Sequence, residues 1–391
     1  MVKRDPKEFQ KRSSFLRVIG PILCGIFSLY LSHQIFRFAG FSPWISALGV
    51  TWVFLVVFWI LFIVIRFILN PDARETKSAI RYQISGHLAQ GYFSYLLFVV
   101  FLRDLTSLIG FFFQRELFYY NQTEAYFILA APPFLMALGR LVVLAGPFTR
   151  KVIIRRNGLH KDLRGLRIVQ ISDMHIGPGV SLAKMQDIVK KVNRLNADLV
   201  VLTGDIVDHL DHWFVEEIAE LANFKSRYGT FFVPGNHEYY WGFTPIIEAI
   251  RRLKIPVLLN ENIQISIGSA KLAVCGVPDI SAKYFSLEAP DFGKTLRGAE
   301  NCDFKLLLSH QPKTADEACR HPYDLQLSGH THGGQFIPWS LIIRLFQKYT
   351  TGIFILGKMT LYVSRGTGYW GPPDRLGTYG EISCIILETD L

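Results

Sequence analysis

Residues 166–175 read Leu166-Arg-Ile-Val-Gln-Ile171-Ser-Asp173-Met-His175. A short β-branched run bounded by polar residues is a strand pattern, and this one opens directly onto a carboxylate and an imidazole. The construction recurs down the second half of the chain. Asp198–Leu202 runs into Asp205 and Asp208, Thr230–Val233 into Pro234-Gly-Asn236-His237-Glu238, Phe304–Leu308 into Ser-His310, and Asp324–Leu327 into Ser-Gly-His330-Thr-His332-Gly-Gly-Gln335. Lys271–Cys275 reads as a further strand, and residues 182–194 and 213–224 carry helical patterning. Short apolar runs alternating with helices imply a layered α/β domain, whose reactive groups collect beyond the carboxyl ends of its strands.

A single Asp or His after a strand is ordinarily a turn residue or a helix cap. Five strand ends that each deliver Asp, Asn or His point instead to a shared site. In an extended segment residues i and i+2 face the same side, so Asp173-x-His175 and His330-x-His332 would each present two ligands to one space. Glycines at 204, 235, 329, 333 and 334 permit tight turns and close backbone approach.

Taken in order, these segments resemble the motif set of the calcineurin-like metallophosphoesterase superfamily: D-x-H, G-D-x-x-D, G-N-H-E, a strand-terminal His, and G-H-x-H. The similarity covers residues 151–391. The longer form from Gly329 to Gln335 and the loop Ser364-Arg-Gly-Thr-Gly-Tyr-Trp-Gly-Pro-Pro373 are similar to the membrane-associated branch that includes the transmembrane metallophosphoesterases. Some members of that wider family hydrolyse the pyrophosphate of UDP-2,3-diacylglucosamine in lipid A synthesis. The resemblance implies a four-layer αββα sandwich and a dinuclear metal centre. It implies that Asp173, His175 and His332 bind one ion, that Asn236, His310 and His330 bind the other, and that Asp205 bridges them. His237 would contact the scissile phosphate and protonate the leaving group, while Asp208 would orient a loop or a ligand.

Elementary chemistry supports such a centre. Phosphodiester anions repel hydroxide, and two cations about 3.5–4 Å apart neutralise that charge and acidify a water. A mixed carboxylate, amide and imidazole donor set suits Mn, with Fe or Zn as alternatives, rather than Ca or Mg. A histidine proton donor is apt because its ordinary pKa of about 6.5 lies near neutrality.

Ahead of this domain the chain changes character. Half of the 391 residues are hydrophobic and the mean hydropathy is +0.24, too apolar for an ordinary soluble enzyme. Four apolar stretches, at about 18–36, 43–65, 86–113 and 125–148, are each long enough to cross about 30 Å of hydrocarbon. The expectation is therefore an N-terminal all-α transmembrane domain of four helices over residues 1–150, followed by the α/β domain from 151. Arg103 with Asp104 and Arg140 fall within spans; we expect the first two to pair or lie at an interface and Arg140 to snorkel.

Charge is divided in the same way. Residues 1–167 hold 21 Lys+Arg against 8 Asp+Glu, and residues 168–391 hold 21 against 24. The net +10 thus belongs to the first part, and a nucleic-acid surface on the second has no compositional support. The basic residues gather in the N-terminal tail, after the second span and after the fourth. By the positive-inside rule this places both ends in the cytoplasm and the metal domain on the cytoplasmic face, as in a bacterial-type inner membrane. The five cysteines are scattered and form no C-x-x-C pair, which suggests neither a disulfide framework nor a zinc ribbon.

The sequence also bears on substrate. Phe336-Ile-Pro-Trp-Ser-Leu-Ile-Ile-Arg-Leu-Phe346 follows the last motif with little polar character. It reads either as a lip touching the membrane, which would admit a lipid-linked phosphate or nucleotide, or as a segment packed on the sheet. Arg365, in its glycine-rich loop, is a candidate phosphate-binding residue. The leading function is hydrolysis of a lipid-linked phosphodiester or pyrophosphate. The alternatives are a phosphodiesterase or protein phosphatase of soluble substrates that uses the spans as an anchor, and a non-catalytic membrane sensor or scaffold.

Overall fold

The structure is a computed structural model that describes residues 25–36, 40–69, 77–113, 121–208 and 214–390, with backbone alone for 63–69 and 77–79. Residues 25–36 are helical and form α1. Three long helices follow: α2 (Pro43–Leu69), α3 (Lys77–Phe112) and α4 (Gln122–Ala145). Among the described residues three helices are long and apolar enough to cross a membrane, over Pro43–Phe62, Ile80–Phe112 and Gln122–Ala145. The expected first span, 18–36, begins outside the described residues.

Two span boundaries need correction. The fourth span ends at Ala145 instead of 148, because Gly146-Pro147 stops the helix and a strand starts at Phe148. The sheet domain therefore begins before residue 151. The third span starts well before residue 86: α3 has 36 residues, or about 54 Å at the helical rise, against about 30 Å of hydrocarbon. The N-terminal part of α3 also packs against the sheet domain, through Ile80 and through Ser94, which accepts from Trp339.

The helices are tied together at a polar knot. Arg103, only 4% exposed, bonds Asp104 (2.6 Å), Glu124 (3.1 Å) and the side chain of Gln34 (2.7 Å), and Asp104 also accepts from Tyr30. The expected Arg103–Asp104 pair is present, and it also joins α1 and α4 to α3. Around it pack Leu31, Ile35, Val53, Leu96, Val100 and Ile128. Arg140 does more than snorkel, since it lines a cavity together with Tyr369 and Arg375 of the second domain.

That domain contains two sheets. β1 (Phe148–Arg156), β2 (Arg167–Ile171), α5 (Leu182–Asn193), β3 (Leu199–Thr203), α6 (Val215–Ala219), β4 (Thr230–Val233), α7 (Asn236–Trp241) and α8 (Phe243–Arg252) lead into β5 (Glu261–Ile267), β6 (Ala270–Gly276), β7 (Phe304–Leu308), α9 (Ala315–Ala318), β8 (Leu325–Ser328), α10 (Trp339–Ile342), β9 (Gly352–Leu356), β10 (Met359–Val363) and β11 (Glu381–Thr389). The first sheet has the order β1-β11-β2-β3-β4 and the second β5-β6-β7-β8-β10-β9. β2, β3 and β4 are mutually parallel, as are β6, β7, β8 and β10, so their carboxyl ends rise together.

One core lies between the sheets, with Ile168, Leu199, Val201 and Phe231 facing Val274, Leu306, Leu308 and Leu327. A second, including Val169, Val200, Met185, Ile188 and Ile246, packs α5 and α8 onto the outer face of the first sheet. The outer face of the second sheet is covered by short turns and α9, through Leu296, Ala299, Ala315 and Ala318. The strands expected from their apolar runs appear within a residue of the expected ends. β1 is new: its burial alternates, with Val152 and Ile154 inward among basic neighbours, and it pairs in parallel with β11.

Candidate metal centre

The loops after β2 and β3 are joined side by side. The amide of Asp173 donates to Gly204 O (3.0 Å), that of His175 to Asp205 O (3.0 Å) and that of Asp208 to Ile176 O (3.0 Å). Gly329 N donates to His310 O (3.0 Å), which joins the ends of β7 and β8. At Gly204 (φ +82°) a Cβ would lie 2.6 Å from His310 Nδ1, and at Gly329 it would strike Ser172 and the Asp173 carboxylate. Only glycine admits this convergence.

The backbone of the D-x-H and H-x-H pairs corrects the extended geometry expected for them. Asp173, His175, Asp205, His330 and His332 all have left-handed φ, between 50° and 72°. Five non-glycine residues in a costly conformation, all in one site, mark strain held in place by its surroundings. The paired side chains converge because of this curl, not because a strand alternates.

Two sets of donors result. Asp173, His175 and His332 bring their ligand atoms together in one, and Asp205, His310 and His330 in the other. His175 Nε2 and His332 Nε2 face each other at 3.0 Å, close to the spacing of two nitrogens each about 2.1 Å from one ion. His310 Nε2 lies 3.1 Å from Asp205 Oδ2 but out of line for a hydrogen bond. It and Asn236 Oδ1 are buried without a hydrogen-bond partner. Buried polar atoms are rarely left so, and a cation would satisfy both. The donor set therefore fits a pair of divalent ions.

The imidazoles are held in the tautomer that ligation needs. His175 Nδ1 donates to Asp208 Oδ1 (2.8 Å) and His310 Nδ1 to Thr203 O (2.8 Å), so each Nε2 keeps its lone pair. Burial and the charge of His310 hold His330 neutral, down to about 3; burial and the Arg375 guanidinium lower His332 as well. Burial, followed by the nearby carboxylate of Asp205, raises Asp173. Burial opposes a charge on His310, yet Asp205 beside it prevails and raises it. A cation between that pair would supply the positive charge that the proton otherwise supplies.

His237 stands beside both sets. Its Nδ1 donates to Asp208 Oδ1 (2.8 Å), its amide to Asp205 Oδ1 (2.8 Å), and its Nε2 is 3.9 Å from Asp205 Oδ2. Burial disfavours its charged form, but Asp208 and Asp205 outweigh it and hold the imidazole up to about 9. Asp208 thus serves His175 and His237 at once, a double role that spacing along the chain does not reveal.

Glu238 holds the backbone of the site. Fully buried, it accepts from the amides of Gly235 (2.6 Å), Ile206 (2.7 Å), Asp205 (3.0 Å) and Val207 (3.1 Å). Glu238→Ala would orphan four buried N–H groups and is expected to cost about 3 kcal/mol or more. Thermal unfolding in detergent should register a lower Tm for this variant even with metal in excess.

Arg365 is engaged by Thr351 (3.3 Å) and lies over the Tyr379 ring at 4.4 Å. The guanidinium that touches the donor sets is that of Arg375, unforeseen from the sequence. It is buried, bonds His332 O (2.9 Å), lies 3.1 Å from His332 Nδ1 and also holds the carbonyls of Arg365 and Gly368. Because its partners are mostly main-chain carbonyls, no side-chain motif announces it.

Comparison with known proteins agrees with this geometry. The calcineurin-like phosphoesterase family profile matches residues 166–334. The chain is 37% identical over 246 residues to a metallophosphoesterase of Helicobacter pylori strain J99, an alignment covering 62% of this chain and 65% of that one. It is 35% identical over 266 residues to a bovine (Bos taurus) transmembrane protein with metallophosphoesterase domain, covering 65% and 60%. With a metallophosphoesterase of Aquifex aeolicus it shares 35% over 231 residues, 57% of this chain and 85% of the relative. The chain spans just under two thirds of the length of the Helicobacter relative.

Proposed function

The chain belongs to the calcineurin-like metallophosphoesterase family, and from that premise we propose that it hydrolyses a phosphodiester or pyrophosphate of a lipid-linked substrate at a site beside the bilayer. Asp173, His175 and His332 would hold one divalent ion, and Asn236, His310 and His330 the other, with Asp205 between them. Mn suits this donor set, with Fe or Zn as alternatives. When bound, the ions would neutralise the attacked phosphoryl group and acidify a water.

The chain's own residues do the rest. Asp208 fixes the His237 ring through Nδ1, which turns Nε2 toward the reacting group. As the water oxygen bonds to phosphorus and the bond to the departing oxygen breaks, the Nε2 proton passes to that oxygen. Asp208, which is not among the proposed ligands, keeps its carboxylate on Nδ1 and so favours the proton-bearing ring.

The lipid-linked reading rests on one observation. The segment that follows the His332 loop turns outward: Phe336 is buried, while Trp339, Leu341, Leu345 and Phe346 are 45%, 62%, 80% and 74% exposed. Trp339 Nε1 donates to Ser94 Oγ of α3 (3.4 Å), so this apolar lip adjoins a membrane helix. Exposed apolar patches of this kind mark contact surfaces. UDP-2,3-diacylglucosamine is one substrate of the class. The loop charges favour the cytoplasmic face, as in a bacterial inner membrane.

Converting Leu345 and Phe346 to serine is expected to lower kcat/KM on a lipid-linked nucleotide in vesicles by about tenfold, from the loss of about 1.5–3 kcal/mol of burial per side chain offset by partial compensation. Hydrolysis of soluble bis-p-nitrophenyl phosphate should stay within twofold. Equal losses on the two substrates would refute the membrane lip and favour a soluble substrate.

A further inference from the structure

The N-terminal part of α3 lies against the metal domain. Ile80 packs on the core that seats α5 and α8, and the Tyr95 ring is 5.4 Å from Phe336. At Gly91 a Cβ would come 3.2 Å from Pro372, and Gln90 Oε1 lies 3.7 Å from where a Cβ would stand on Gly371. Asp374 packs on Gly139 of α4, and the amide of Arg375 donates to Gly139 O (3.3 Å). The loop from Tyr369 to Arg375 is therefore clamped by α3 and α4 on one side. On the other side, Arg375 holds His332.

His87 sits in this part of the helix. Its ring is 6.2 Å from that of Trp370, Trp370 stands edge-on to His237 at 5.7 Å, and His237 is 4.6 Å from His175. His87, Trp370 and His237 thus form a row leading from the membrane helix to the donor sets. Trp370 is 45% exposed, so the row borders open space. Further along α3, Phe101, Leu102, Leu105 and Leu108 are exposed apolar residues facing outward from the bundle.

We infer that α3 forms the leaving-group wall of the active site, with His87 and Gln90 contacting the polar part of a lipid group whose chains continue along the helix into the bilayer. This rests on the hydrolase reading, in which His237 protonates the departing oxygen, and it puts the leaving group on the side of His237 where Trp370 and His87 stand. The membrane domain is in that case part of the substrate site. The ligand class is a phosphate ester of an apolar alcohol, with an imidazole and an amide as the groups that recognise its polar end.

The test uses the full chain in detergent, with bis-p-nitrophenyl phosphate as reporter and two inhibitors: 1-oleoylglycerol 3-phosphate, which carries a hydroxyl and an ester between its phosphate and its chain, and inorganic phosphate. The wild type should bind 1-oleoylglycerol 3-phosphate the more tightly of the two. His87→Ala should raise the inhibition constant of 1-oleoylglycerol 3-phosphate by about fivefold, the scale of one hydrogen bond to a neutral polar group, and that of inorganic phosphate by less than twofold. Gln90→Ala, one turn on, should shift it in the same direction and guards against a folding defect at 87. Leu108→Ala, far from the site on the same helix, should shift neither, and metal content should be unchanged throughout. If the wild type prefers 1-oleoylglycerol 3-phosphate but both variants keep that preference, the α3 wall is wrong and the lipid-linked reading survives. A wild type with no preference overturns both, and equal shifts for the two inhibitors mean a structural defect and overturn the wall.

Discussion

Asp205→Ala is expected to lower hydrolysis of bis-p-nitrophenyl phosphate by about a thousandfold or more, since ion-based charge stabilisation amounts to several kcal/mol and each 1.4 kcal/mol is tenfold. Metal content should fall from two ions per chain to one or none. Asp205 faces both the second donor set and His237. It lies 3.1 Å from His310 Nε2, accepts the His237 amide, and faces His237 Nε2 at 3.9 Å. Removing it leaves His310 and His237 without the charge that raises both. Metal analysis of the purified variant beside its turnover checks both halves; full activity with two bound ions would contradict the role.

Asp208→Asn is expected to cost about a hundredfold in kcat and roughly tenfold in metal affinity, the usual scale for a group that orients a ligand or a catalytic acid. Asp208 Oδ1 accepts from both His175 and His237 at 2.8 Å. An amide keeps the shape but presents a neutral oxygen, so both rings lose a charge-assisted bond. Measuring turnover at saturating metal separates the two effects. If excess metal restores full rate, Asp208 serves His175 alone; a persistent loss assigns the rest to His237.

The strands and their terminal donors were legible because each strand is a short, mostly apolar run followed closely by Asp, Asn or His, and pattern alone locates such a run. β1 was not, because its apolar run is only Val152-Ile-Ile154, enclosed by Arg150-Lys151 and Arg155-Arg156, basic residues that also read as the end of a membrane span. The convergence of Asp173 with His175 was foreseen for the wrong reason, since left-handed curls place them. Asp208 could be placed near the site, but its hold on two histidines depends on loops 29 and 33 residues apart in sequence meeting in space. Arg375 and Trp370 were hidden in a loop whose glycines drew attention to Arg365. His87 escaped notice because the apolar pattern sets in beside it, and only the contacts of α3 reveal that this end faces the metal domain.

The central claim is that the strand ends hold two divalent ions that enable hydrolysis. The most direct measurement strips the full-length protein of metal, returns Mn in known equivalents, and follows bis-p-nitrophenyl phosphate hydrolysis with bound metal counted at each step. Activity should be absent in the stripped protein, rise to a plateau at two ions per chain, and fail to recover in Asn236→Ala, whose wild-type Oδ1, like His310 Nε2, is buried without a partner. A plateau at one ion, or hydrolysis that persists in the stripped protein, would contradict the account.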